Sequence, residues 1–244
     1  MLYRAWRYRW LLERYEIRFV RLNLRPGDTA VDIGAHKGAY AYWMHKSVGP
    51  RGRVVCFEPQ PELAAYLRRM SEALHLDRLH VEALGVSSRR GERSLSVPLG
   101  GPSPAGTLES GLIERKHVIY LVGVTTLDDY FGPGTPVRLI KCDVEGHEFE
   151  VFRGGERLLR EQRPILLFEC EERHHRRHAS RDVFAFLEGL GYAGAFVSRK
   201  GLRPLREFDA ARHGDPASRE YANNFVFRVP GAAAGVSEAR PRAR

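Results

Sequence analysis

The sequence has little that would tie it to an oxidising compartment, a fibre or a bilayer span. Its 244 residues hold three cysteines, an odd number and widely spaced, which excludes a disulfide scaffold. Cys56, Cys142 and Cys170 each sit in a strongly apolar stretch and read as buried free thiols of a reducing cytoplasm. No apolar run approaches the roughly 18 residues of a membrane span. The opening MLYRAWRYRW is broken by arginines and lacks the apolar stretch of a secretory signal. No internal repeat is visible, and the collagen pattern is absent. What is there is ordinary globular material, 43% hydrophobic and 28% charged. It suffices for one sizeable core and falls short of two full domains.

Charge of one sign is also scarce where an active site would lie. Net charge is +9, yet residues 1–25 hold seven arginines against Glu13 and Glu16, and residues 230–244 hold Arg240, Arg242 and Arg244 against Glu238. The two ends thus account for +7, and the body between them carries only +2. An enzyme acting on nucleic acid usually presents a basic face around its site. The body offers only the local cluster Arg173, His174, His175, Arg176, Arg177, His178.

Residues 3–22 read as a helix with aromatic and aliphatic residues interleaved with arginine. Its apolar stripe suits a cap packed on the core, and a basic amphipathic helix of this kind also suits weak contact with a membrane surface. The expected organisation is a cap helix over 1–25, one domain over 26–230, and a disordered tail over 231–244, where large apolar residues run out. Inside the domain, strands and helices alternate. Strands are expected at 29–33, 53–57, 79–83, 93–97, 137–142 and 164–170, with final strands near 193–198, 202–206 and 224–229. Helices are expected from Gly38 to about Ser47, over 61–75 with Pro61 in its first turn, from Glu145 to about Arg160, and over 181–189. Segment 98–111, rich in Gly, Pro and Ser, reads as loop. Such alternation means a parallel sheet covered on both faces, with ligands bound at the carboxyl ends of its strands.

Unusual residues do follow the strands. The first ends Asp32-Ile33-Gly34-Ala35-His36-Lys37-Gly38. Glycines at that spacing let backbone approach a ligand, and the following helix N-terminus presents free N–H groups. The dinucleotide pattern G-x-G-x-x-G is missing, since His36 and Ala39 stand where glycines are needed, and so is the P-loop. A nicotinamide-dependent oxidoreductase is therefore disfavoured. The second strand ends Phe57-Glu58-Pro59. An acid there suits a ribose diol, because a carboxylate accepts both hydroxyl protons. The third leads into Ala83 and Leu84, small and apolar enough for one edge of an adenine. On the fourth, Leu139, Lys141 and Asp143 share one face and Ile140 and Cys142 the other. Two charges on one face of a central strand need partners, and Glu169 at the end of the fifth strand is the expected partner of Lys141.

The segments VDIGAHKGAY, VVCFEPQPE, HVEALGVSS, TTLDDYF, LIKCDVEGHEFEVFRGG and RPILLFECE, spanning about residues 28–172, together resemble the FkbM family of S-adenosylmethionine-dependent methyltransferases. The block KCDVEGHE followed by an LLFE strand is the most specific part. The resemblance implies an α/β, Rossmann-like class I methyltransferase fold: a mostly parallel seven-stranded sheet, helices on both faces, last strand antiparallel. It implies S-adenosylmethionine as cofactor. Asp32, Gly34, Ala35 and Gly38 would line its methionine and ribose part, Glu58 would hold the ribose hydroxyls, Pro59, Gln60, Ala83 and Leu84 would surround the adenine, and Asp143 would stand beside the reaction centre. The chain departs from the family at His36, where asparagine is frequent, and at Ser87 and Ser88, where an acid is usual.

The methyl of a sulfonium is already activated, so the enzyme mainly aligns the acceptor behind it. A neutral hydroxyl also benefits from a base. The candidates are Asp143, then Glu145 and His147 at the start of the next helix, and Glu169. His147 has the natural pKa for the role, although a helix N-terminus disfavours its charged form. The expected acceptor is a hydroxyl of a small molecule or sugar. Other readings are a cofactor-binding module without catalysis, a nucleic-acid methyltransferase using the basic ends, and an enzyme held at a membrane by residues 3–22. No metal site is expected: His174 and His178 have a suitable spacing but no second set of ligands.

Overall fold

The computed structural model describes residues 1–100, 103, 105–109, 111, 116–172 and 178–231. In chain order the elements are α1 (Leu2–Arg7), a π-helical turn (Tyr8–Leu12), α2 (Arg14–Asn23), β1 (Thr29–Ile33), α3 (Ala39–Val48), β2 (Arg53–Phe57), α4 (Pro61–Ala73), β3 (Leu79–Glu82), β4 (Gly85–Val86), β5 (Gly91–Pro98), β6 (His117–Thr125), α5 (Leu127–Tyr130), β7 (Leu139–Cys142), α6 (Glu148–Arg153), α7 (Glu156–Gln162), β8 (Ile165–Glu169), α8 (Ser180–Gly189), β9 (Ala193–Ser198), β10 (Gly201–Pro204), a 3₁₀ turn (Leu205–Glu207), α9 (Ala210–His213) and β11 (Asn224–Arg228).

The main sheet runs β10-β9-β11-β8-β7-β1-β2-β3. Strands β3, β2, β1, β7 and β8 are mutually parallel, while β11 is antiparallel to both β8 and β9. The expected seven strands are thus present, with the last antiparallel. The short β10 adds an eighth at the edge, antiparallel to β9. Apart from Asp32 on β1 and Lys141 on β7, the buried residues of the inner parallel strands are apolar on both faces, as a sheet between two helical layers requires. Two large apolar clusters lie on its two sides. One gathers Val31, Ile33, Ile140, Cys142, Phe152, Phe168 and Phe225. The other gathers Ala30, Met44, Val54, Leu139, Leu167 and Trp43. From β1 the sheet is built outward to β2 and β3 on one side and to β7 and β8 on the other, so a crevice opens at the carboxyl ends of β1 and β7, where the winding switches sides.

Four expectations change. The helix over 3–22 is broken: a π-helical turn follows α1, and Glu13, at φ −125°, bends the chain into α2. The helix over 145–160 is two helices, because Gly154 and Gly155 pack too closely to allow one smooth rod. A Cβ on Gly154 would meet the Ser87 carbonyl oxygen at 2.1 Å, and one on Gly155 would meet Leu127 at 2.8 Å. The longest strand, β6, was not foreseen. It joins β4 and β5 in a separate three-stranded sheet of order β4-β6-β5. Residues inside 98–111 are also more ordered than a plain loop: Thr107 forms a β-bridge with Ser96. The tail from residue 232, and Arg173 to Arg177 of the basic cluster, lie outside the described residues.

Among the described residues no helix is long and apolar enough to cross a membrane. Cys56, Cys142 and Cys170 are buried, and among the described residues none is in a disulfide.

Candidate active site

Three strand tips are stitched together by backbone hydrogen bonds. Gly34 and Ala35 donate to the Phe57 carbonyl at 3.0 and 3.1 Å, and Asp143 donates to the Ile33 carbonyl at 3.0 Å. Gly34 has φ +77°, and a Cβ there would stand 1.8 Å from the Asp143 carbonyl oxygen. Only glycine permits this approach. Over the junction lies a cleft of about 820 Å³, counting its open mouth.

Asp32, Gly34 and Ala35 of the first motif line this cleft, as do Glu58, Pro59 and Gln60 of the second, Leu84 of the third and Asp143 of the fourth. Asp32 is 1% exposed, and among the described residues neither of its carboxylate oxygens has a hydrogen-bond partner. Burial raises its pKa to about 6, the Asp143 charge adding to this against the pull of Lys141. Glu58 is 2% exposed. Its Oε2 accepts the His36 N–H at 2.8 Å and its Oε1 the Gln60 N–H at 2.9 Å. Burial outweighs these two bonds and pushes it up to about 7.

Lys141 does not pair with Glu169. In the sheet register Lys141 stands between Asp32 on β1 and Leu167 on β8. Glu169 lies two residues further along β8, level with the chain just past Cys142. Lys141 Nζ instead meets Asp143 Oδ2 at 2.9 Å and lies 5.0 Å from the Tyr40 ring centre. Burial alone would lower the Lys141 pKa, but the carboxylates of Asp143, Asp32 and Glu13 together outweigh it and hold the ammonium above its ordinary range. Glu169 is held well above the ordinary carboxylate range by burial and by the neighbouring charges of Asp143 and Glu145.

The remaining candidates stand apart from the cleft wall. Ala83 is exposed and lies outside the cleft lining. Gly38, at φ +74°, forms the turn into α3 and packs against Leu67 and Met1. Glu145, at φ +53°, offers its carbonyl to the Thr107 hydroxyl at 2.8 Å. His147 is 2% exposed. Its Nδ1 lies 2.6 Å from Glu109 Oε1 and its Nε2 3.0 Å from Ser87 Oγ. Both ring nitrogens are thus occupied away from the cleft. Ser87, which stands near the place of the family's missing acid, is one of these partners.

Two groups of lining residues escaped the sequence reading. Arg4 and Tyr8, from the N-terminal segment, wall the cleft, with the Arg4 guanidinium donating to the Tyr8 hydroxyl at 2.6 Å. The segment is held there by the Trp43 indole, which donates to the Ala5 carbonyl at 2.8 Å, and by the Tyr40 hydroxyl, which donates to Glu13. The β5–β6 connection supplies Gly106 and Leu108. It is pinned by Gln60, whose side-chain amide donates to the Ser103 carbonyl at 2.8 Å and accepts its N–H at 3.1 Å. Among the described residues no group of three or more His, Cys, Asp or Glu could hold a metal.

A parallel sheet whose winding switches sides between β1 and β7, with an antiparallel strand set in beside β8, is the class I S-adenosylmethionine-dependent methyltransferase fold. Within that class the chain belongs to the FkbM family: the Methyltransferase FkbM domain matches residues 32–193. A curated relative, the 2-O-methyltransferase NoeI of Sinorhizobium fredii, is 26% identical over 162 residues, covering 61% of this chain and 65% of the relative. Among solved structures, the methyltransferase FkbM of Methylobacillus flagellatus matches with a TM-score of 0.51 and 18% identity, over 93% of this chain and 53% of that one. A methyltransferase of Aquifex aeolicus described as SAM-dependent matches with a TM-score of 0.50 and 17% identity, over 91% and 92%. The chain thus spans about two thirds of its curated relative and about half of the first of these structures.

Family and fold together name S-adenosylmethionine as the cofactor. The residues present fit it. Asp32 has buried oxygens in want of a partner, Glu58 spends only one bond per oxygen, and Gly34 leaves no room for any side chain.

Proposed function

We propose that the protein transfers a methyl group from S-adenosylmethionine to a hydroxyl of a small molecule or sugar. The observation that carries this reading is the pair of buried carboxylates, Asp32 and Glu58, facing one cleft at adjacent strand tips. Among the described residues neither is matched by a cation of its own, apart from what Asp32 shares of Lys141. The 2-O-methyltransferase relative supports a hydroxyl as acceptor, and the near-neutral body of the chain supports a small acceptor over nucleic acid.

When bound, the cofactor supplies an activated methyl on a sulfonium. The protein supplies binding and alignment. Glu58 accepts the ribose hydroxyls with the lone pairs left by the His36 and Gln60 N–H groups. Asp32 complements positive charge at the methionine end. Pro59, Leu84 and Leu108 give the adenine apolar contact. Of the base candidates Asp143 is the one in the cleft lining, and it would take the proton of the acceptor hydroxyl. Lys141 holds the Asp143 carboxylate in place from behind.

Calorimetry with S-adenosylmethionine and with its demethylated product tests the cofactor half. The expected result is saturable binding of both, and heat from neither with folded protein would overturn it. A labelled-methyl screen across sugars, polyketides and lipid extracts tests the acceptor half. Base-stable label in a hydroxylated compound supports it, whereas label confined to RNA, or no label at all in the presence of proven cofactor binding, overturns it.

A further inference from the structure

The N-terminal segment has two sides, and only one of them belongs to the cleft. Ala5 is fully buried, and Arg4 and Tyr8 wall the cavity. On the outer side, Leu2, Tyr3, Trp6 and Trp10 recur at helical spacing, followed by Leu11 and Leu12 at the bend before α2. All six are exposed: Tyr3 80%, Leu11 74% and Trp10 60%. Soluble surfaces rarely gather so many large apolar side chains in one place without a partner.

The charge around this stripe is of one sign. Arg7, Arg14, Arg18 and Arg21 are exposed, and Arg9 lies over the rings of Trp6, Trp10 and Trp43 at 5.3, 4.9 and 4.5 Å. The only acids among the first 25 residues, Glu13 and Glu16, are drawn inward. Glu13 takes the Tyr40 hydroxyl, and Glu16 is held up to about 7 by burial. An apolar stripe rich in tryptophan and flanked only by arginine matches the boundary of an anionic bilayer: rings settle at the headgroup level and guanidinium groups meet lipid phosphates.

We propose that this face, Leu2 to Leu12 with its flanking arginines, docks on an anionic membrane surface and brings the bilayer against the segment whose inner side walls the cleft. The inference goes beyond the methyl-transfer reading and does not depend on it, since vesicle binding needs neither cofactor nor acceptor. The test is co-sedimentation of the full chain with phosphatidylcholine vesicles and with vesicles of phosphatidylcholine and phosphatidylglycerol in equal parts. A blue shift of tryptophan fluorescence gives a second readout, because two of the three tryptophans lie in the stripe. At least tenfold more protein is expected on the anionic vesicles. Trp10→Ala/Leu11→Ser is expected to lower that binding at least tenfold while its melting curve and S-adenosylmethionine titration match the parent. Arg7→Glu/Arg14→Glu is expected to abolish the preference for anionic lipid. If the first variant fails to fold, Tyr3→Ser, at the most exposed position, carries the same expectation. Protein left in the supernatant with anionic vesicles, or pelleting unaffected by these substitutions, overturns the proposal. So does a solution dimer that Trp10→Ala/Leu11→Ser dissociates, which would assign the stripe to a second copy of the chain.

Discussion

Gly34 and Asp143 touch through their backbones: a Cβ on the first would lie 1.8 Å from the carbonyl oxygen of the second. This contact closes β1 onto β7 at the floor of the cleft, and it leaves no freedom at either residue. Gly34→Ala must therefore both adopt an unfavourable positive φ and push β7 away. The expected cost is about 1–3 kcal/mol of stability and a loss of cofactor affinity exceeding tenfold, read by thermal melting and calorimetry. A variant that melts like the parent and binds cofactor unchanged would show that the two tips are not held together in solution.

Protonation of the cradle carries a sign that can be measured. Asp32 is raised from 3.8 to about 6 and Glu58 from 4.5 to about 7, each chiefly by burial. Between the ordinary and the raised values the folded protein without cofactor holds protons that an unfolded chain has released. Stability from this source is full below about pH 4 and is lost as pH rises through about 6 and then about 7. A shift of this size corresponds to about 3 kcal/mol per group. The protein without cofactor is expected to lose several degrees of Tm from these groups between pH 5 and 8, and Asp32→Asn/Glu58→Gln to flatten that decline. Cofactor affinity runs the opposite way, weakening as pH falls below about 7, because the ionised Glu58 is the form that accepts ribose hydroxyls. Parallel Tm–pH curves for parent and double variant would refute this.

What the sequence disclosed of the site was local: an acid or glycine directly after an apolar strand is marked by position, and Asp32, Gly34, Glu58 and Asp143 were legible for that reason. Contacts made by distant segments left no such mark. Arg4 and Tyr8 look like the polar side of an amphipathic helix, and nothing near them in the chain reveals that Trp43 and Tyr40 anchor that helix over the cleft. The β6 strand, HVIYLVGVT, was overlooked because its exposed Val118, Ile119 and Leu121 break the alternation that marks a half-buried strand. The partner of Lys141 is not legible in the sequence, because it depends on sheet register. Only register shows that Leu167, not Glu169, stands beside it.

His147 is placed to support the loop. Between Glu109 and Ser87 it is buried with both nitrogens engaged. Removing it leaves those partners to rearrange in a dry site, at a typical cost of about 1–3 kcal/mol. His147→Ala is expected to lower Tm by several degrees while kcat of the folded protein stays within about threefold of the parent. A variant of unchanged Tm with turnover reduced a hundredfold would return His147 to the list of bases.

Asp143 is different, because it faces the cleft and its charge is balanced by Lys141 at 2.9 Å. Asp143→Asn keeps an acceptor for the ammonium but removes the negative charge. Lys141 keeps Asp32 and Glu13 as compensating neighbours, so the chain is expected to fold with a loss of about 1–3 kcal/mol. If Asp143 takes the hydroxyl proton, turnover falls by about 10²–10⁴-fold while cofactor affinity changes less than about threefold. If it serves only to bind the cofactor, the affinity falls and the rate at saturation is preserved. Separate measurement of S-adenosylmethionine binding by calorimetry and of methyl transfer at saturating cofactor distinguishes the two. Lys141→Met in the same assays shows how far Asp143 relies on its partner: with the ammonium gone the carboxylate loses the contact that holds it at 2.9 Å, and turnover at saturating cofactor is expected to fall.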